Sequence, residues 1–175
     1  MGKKLEDYVI TIPDFPKPGI MFRDITGILR SADGFKLAID ELIKRLEGVE
    51  FDTIAVAEAR GFILGSPVAY ELGKKLALVR KKGKLPRETV QKSYELEYGS
   101  AVIEMHKDSI SEGERVVIID DLIATGGTVK ASQELIEQLG GKVVKILFVI
   151  ELEGLNGRAL FDGIDVESII KYPGK

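Results

Sequence analysis

In "VVIIDDLIATGGTVKAS" (residues 116–132) two acids stand directly before a turn of small residues, glycines and threonines. The turn suits an anion. Gly126 and Gly127 let the backbone approach a ligand closely, and Thr125 and Thr128 offer hydroxyl donors. The helical pattern that follows aims its first N–H groups back at the turn. Asp120 and Asp121 suit the opposite chemistry, because carboxylates accept hydrogen bonds from vicinal hydroxyls. A sugar phosphate wants both. Its phosphate takes the loop formed by Ala124, Thr125, Gly126, Gly127 and Thr128, and its ribose hydroxyls take the acids. If the sugar carbon becomes positive during reaction, the same acids stabilise it. The alternative, a solvated acid pair followed by a capped helix, needs no ligand. Two other phosphate signatures, G-x-x-x-x-G-K-[ST] and G-x-G-x-x-G, are absent.

The elements that position these residues alternate between strand and helix. "DGFKLAIDELIKRLE" (33–47) puts Phe35, Ala38, Ile39, Leu42, Ile43 and Leu46 on one helical stripe, stopped by Gly48. Residues 51–58, 76–81, 116–120 and 143–151 read as buried strands, and 62–72 and 128–139 as helices. Continuous apolar strands separated by helices predict a parallel sheet covered on both faces. Ligands then bind beyond the carboxyl ends of the strands, and Asp120 and Asp121 end one of them. Two segments depart from the rhythm. Residues 89–105 alternate apolar and polar around "EYGS", the pattern of an exposed hairpin or flap. The proline-rich N-terminus fits no regular element.

Composition narrows the class. With 175 residues, 45% apolar and 30% charged, the chain reads as one globular domain. A net charge of −3 favours neither nucleic acid nor membrane as partner. Cysteine is absent and histidine occurs once, so thiolate and histidine metal sites are not expected. "MGKKLEDYVI" lacks the apolar run of a leader. A cytoplasmic enzyme or binding protein is the expectation.

Five motifs in order carry a resemblance: "FPKPGIMFRDIT" (15–26), "EARGF" (58–62), "RKKGKLP" (80–86), "SYELEYG" (93–99) and "VVIIDDLIATGGT" (116–128). Over nearly its full length the chain resembles the adenine-using branch of the type I phosphoribosyltransferase family. That family joins adenine to phosphoribosyl pyrophosphate (PRPP), giving AMP and diphosphate in purine salvage. The resemblance implies a twisted parallel sheet, a flexible hairpin flap, and a small hood built mainly from 12–30 with a C-terminal contribution. It implies a homodimer, and magnesium carried by PRPP's own phosphates.

By the same resemblance Phe22 and Arg23 lie along the adenine, Arg23 largely through its backbone, and Leu152 closes the other side. Ala59 and Arg60 belong to the diphosphate loop, where the family carries a non-proline cis peptide. Arg60 offers a fork of donors to the departing diphosphate, and Arg80, Lys81 and Lys84 join it. Glu97 is the catalytic acid–base residue, managing the purine proton, and Tyr98 seals the flap. Plainer readings stand beside these: a core phenylalanine for Phe22, a surface ion pair for Arg60, and a structural or surface role for His106. A hypoxanthine- or guanine-using relative and a non-catalytic PRPP-sensing regulator are the rival functions. Arg60 and Glu97 speak against the regulator.

Overall fold

The computed structural model describes residues 2–96 and 99–174. The strands are β1 (Ile10–Pro13), β2 (Met21–Asp24), β3 (Thr53–Ala57), β4 (Lys75–Lys81), β5 (Thr89–Glu95), β6 (Ser100–His106), β7 (Arg115–Ile123), β8 (Lys142–Leu152) and β9 (Asp165–Tyr172). The helices are α1 (Thr26–Leu29), α2 (Ala32–Lys44), α3 (Arg60–Leu72) and α4 (Gly127–Gln138). Seven strands form one sheet in the order β5-β6-β4-β3-β7-β8-β9, and β1 pairs with β2 in a second.

Strands β4, β3, β7, β8 and β9 are parallel. Their side chains alternate between two cores. On one face Ile54, Val56, Val117 and Ile119 pack with Leu64 and Val68 of α3 and Leu42 of α2. On the other, Ala55, Ile118, Ile146 and Phe148 pack with Val129, Leu135 and Ile136 of α4. Strand β3 is buried along its whole length because helices cover both faces. Ser31 caps α2 by accepting from the Gly34 N–H at 3.2 Å, and Gly73 ends α3 in the left-handed region.

The sheet differs from an all-parallel one. β6 runs antiparallel to β4, and β5 antiparallel to β6. The expected flap is therefore anchored in the sheet at its base, where Arg80 opposes Glu104 and Lys81 opposes Ile103. Strand β7 continues past the acid pair to Ile123, because long β8 still offers Ile150 and Glu151 as ladder partners. Asp120 and Asp121 are thus strand residues, not its terminus. The N-terminus, read as irregular, holds the β1–β2 pair. Strands of four residues are too short to show alternation, and the prolines between them mask the pairing. Strand β9 was not anticipated either.

Candidate active site

A cleft of about 390 Å³ opens at the carboxyl ends of β3 and β7, lined by residues 58–60 and 120–129. It brings together Ala59, Arg60, both acids and the whole glycine–threonine turn. Arg60, the first residue of α3, donates Nε–H to Asp121 Oδ2 at 2.5 Å. Arg60 is ion-paired, as the plain reading has it, and its side chain is 54% exposed at the cleft. The Glu58–Ala59 peptide is cis, where the resemblance placed it.

The two acids are not equivalent. Asp121 is buried and holds Arg60. Asp120 sits well above the ordinary carboxylate range, first through burial and then through the negative charge of Asp121 beside it. The Asp121 N–H, donated to Asp120 Oδ1 at 2.9 Å, and Arg60 offset part of that rise. A Cβ on Gly61 would come within 3.0 Å of Asp120 Oδ1, so the second residue of α3 is a glycine where the carboxylate needs room.

The two loop glycines also separate. Gly126, the residue capping α4, lies at φ +83, and a Cβ there would stand 2.9 Å from the Gly157 carbonyl. Gly127 has ordinary helical backbone, and its nearest neighbour would be the Tyr94 ring at 3.5 Å. Within the protein itself, a side chain is therefore excluded at Gly126 and not at Gly127. Among the described residues no side-chain hydrogen bond caps α4, so its first-turn N–H groups are open to a ligand.

The side expected to take diphosphate is built around two carboxylates that motif reading passed over. Glu58 accepts from the Lys81 N–H at 2.5 Å and from Arg80 Nη2 at 3.1 Å. Burial pushes its carboxyl up, but these partners outweigh it and its pKa is lowered. Glu104 is buried on β6 and accepts from the N–H groups of Lys84 (3.0 Å) and Leu85 (2.9 Å). The basic segment is thus folded onto an acid. Arg80 reaches the cleft's edge through Glu58, whereas the side chains of Lys81 and Lys84 are exposed and lie outside the cleft lining. His106 sits half-buried at the end of β6 beside Arg87, with Nδ1 and Nη2 3.2 Å apart.

The residues expected beside adenine lie on two elements outside this cleft's lining. Phe22 packs edge-to-face on Phe15 at 5.2 Å. The Arg23 side chain donates to Thr11 Oγ1 at 2.5 Å and lies 3.9 Å over the Tyr172 ring. Leu152 pairs with that same Tyr172 across β8 and β9. Tyr172 therefore links the hood to the wall opposite it. Glu97 and Tyr98 fall outside the described residues.

Gly157 was also missed. A Cβ there would lie 2.3 Å from the Ala124 carbonyl and 2.9 Å from Thr125 C, so only glycine allows this segment to back the loop. It is held in place by its neighbour. Arg158 donates Nε–H to Glu151 Oε1 at 2.9 Å, its Nη2 bonds the other Glu151 oxygen, and Ser168 adds 2.7 Å to that oxygen.

Parallel sheet, appended hairpin, acid pair and loop define a type I phosphoribosyltransferase fold. A family profile described as phosphoribosyl transferase domain matches residues 27–169. Over 99% of both chains, the protein is 62% identical to a protein of Agathobacter rectalis named adenine phosphoribosyltransferase. A crystal structure of adenine phosphoribosyltransferase from Thermoanaerobacter pseudethanolicus superposes with a TM-score of 0.92 at 53% identity, covering 97% of this chain and all of that one. The Saccharomyces cerevisiae enzyme, solved with an imino-altritol bisphosphate and adenine, superposes at 0.88 and 39% identity, covering 94% and 96%. The chain belongs to the phosphoribosyltransferase family, and within it to the adenine phosphoribosyltransferases.

Proposed function

We propose that this chain transfers the phosphoribosyl group of PRPP to adenine, releasing AMP and diphosphate. The observation that carries the reading is one cleft in which an acid pair, a cation and an uncapped helix start converge. The loop and the first turn of α4 hold the 5′-phosphate, and Asp120 and Asp121 accept from the ribose hydroxyls. As the C1′–O bond to diphosphate breaks, positive charge grows on the sugar, and the acids stabilise it. The remaining guanidinium nitrogens of Arg60, with Arg80 and Lys81, receive the leaving diphosphate. Adenine N9 forms the new bond to C1′ between Phe22 and Leu152, and its proton passes to the Glu97 carboxylate.

Magnesium belongs to the substrate on this reading, bound by PRPP's phosphates and water. Among the described residues no group of three or more His, Cys, Asp or Glu could hold a metal ion. The enzyme acts in the cytoplasm as a homodimer. Exposed Ile63, Tyr70 and Leu76 on α3 and β4 supply apolar surface for a partner near the 80–87 segment. No helix among the described residues is long and apolar enough to cross a membrane.

The direct test mixes protein, magnesium and PRPP with each purine base and follows nucleotide and diphosphate. AMP from adenine, with little or no product from hypoxanthine or guanine, is expected. Efficient formation of IMP or GMP supports the rival transferase, and no nucleotide from any base removes the reading. Glu97→Gln is expected to slow single-turnover AMP formation by roughly 10²–10⁴. A rate within about twofold of the parent would take the proton role away from Glu97.

A further inference from the structure

Among the described residues, the flap hairpin makes a polar contact with the phosphate loop. Thr128 Oγ1 donates to the Tyr94 hydroxyl across 3.1 Å. The Tyr94 ring lies against the first residue of α4, 3.5 Å from where a Gly127 Cβ would stand. Further along the same strand, Lys92 Nζ pairs with Glu134 Oε2 of α4 at 2.8 Å. Strand β5 is therefore docked along α4, and its polar contact falls on a phosphate-loop hydroxyl.

A threonine hydroxyl has one proton and two lone pairs. It cannot donate to Tyr94 and to a phosphate oxygen together. We propose that Tyr94 is a positioning residue for the 5′-phosphate, acting through Thr128; this rests on the phosphate-loop reading above. When phosphate occupies the loop, Thr128 turns its proton to a phosphate oxygen. Tyr94 then reverses and donates to the lone pair that Thr128 exposes. The two hydroxyls form a relay ending on the anion, each bond polarising the next. Tyr94 also stands three residues before Glu97 in the chain, so an occupied loop fixes the strand that leads to it.

Calorimetric titration with AMP and with adenosine tests this, since the two ligands differ only in the phosphate. Tyr94→Phe is expected to weaken AMP about fivefold, the loss of one charge-assisted relay. Adenosine affinity and Tm should stay unchanged. The effect should persist on a Thr128→Ser background, which keeps the hydroxyl, and vanish on Thr128→Val. In turnover assays KM for PRPP rises while KM for adenine does not. Equal AMP affinity in Tyr94→Phe and the parent, equal losses for AMP and adenosine, or full additivity with Thr128→Val each overturn the relay. A parent protein that binds neither AMP nor PRPP overturns the functional reading itself, and the relay with it.

Discussion

Asp120 in the cleft and the two glutamates Glu104 and Glu151 behind it are treated in opposite ways. Glu104 and Glu151 are both buried, and both are surrounded by donors. For Glu104, burial pushes the carboxyl up, but the N–H groups of Leu85, Gly83 and Lys84 and the Gln91 amide bring it below its ordinary value. For Glu151, the Arg158 guanidinium dominates and lowers it outright. Asp120 has one N–H donor and a charged neighbour, and its pKa is raised. The carboxylates that hold the scaffold are satisfied by the protein. Asp120 is left short of donors within the protein.

Breaking a satisfied acid should produce the largest effect. Arg158→Met leaves Glu151 buried without its main partner. The expected loss of stability is about 3 kcal/mol, the low end for such pairs, because the Arg158 side chain is 35% exposed. Gly157 rides on the same segment, so KM for PRPP should rise as the loop loses its backing. Denaturant unfolding with steady-state kinetics checks both. Unchanged KM in a destabilised variant would confine Arg158 to the scaffold.

Asp120→Asn should do the reverse. Between the ordinary value of 3.8 and the raised folded value, native Asp120 binds more protons than the unfolded chain, so ionising it costs stability as pH climbs through that window. The amide removes this cost, and the ligand-free variant should melt above the parent at neutral pH. Catalysis should fall by about 1–3 kcal/mol of transition-state stabilisation, read as kcat/KM. Glu104 and Glu151 have the opposite sign: their contributions are present above the ordinary carboxylate value and lost as pH falls through their lowered ones. A melting scan that places Asp120→Asn below the parent at pH 7 would erase the contrast.

Much of this was legible in residue order. The acid pair and its turn stand out because an apolar run, two carboxylates and two glycines occur within one segment. The helices show because their apolar stripes recur at the right period. What stayed hidden depends on partners far apart in the chain. Glu104 and Glu151 sit inside apolar stretches, and a charge in such a place signals a partner elsewhere, but the sequence does not say which. Arg23 reads as a hood residue, and its stacking on Tyr172 appears only when β9 closes the sheet. The β1–β2 pair and the antiparallel edge escaped because short strands and mixed pairing leave no periodic trace. Gly126 and Gly127 look alike in sequence, and only the backbone separates them.

That last distinction yields the smallest and sharpest test. Gly126 sits at positive φ, pressed on the Gly157 carbonyl, so Gly126→Ala meets both an unfavourable backbone and a contact of 2.9 Å. Gly127 is helical, with its nearest obstacle at ordinary van der Waals distance. Alanine is the better helix former, by about 1 kcal/mol in an exposed helix interior. Gly127→Ala should therefore leave Tm equal to the parent or slightly raised, while Gly126→Ala lowers it. The functional readings should separate too. A methyl at position 127 faces Tyr94, not the turn's inner surface, so KM for PRPP should change by no more than about twofold. A large rise in that KM from Gly127→Ala, with stability intact, would mean that phosphate passes on the Tyr94 side of the loop. The first-turn N–H groups would then not be the cradle, and the asymmetry between the two glycines would have to be explained by the ligand instead of the fold.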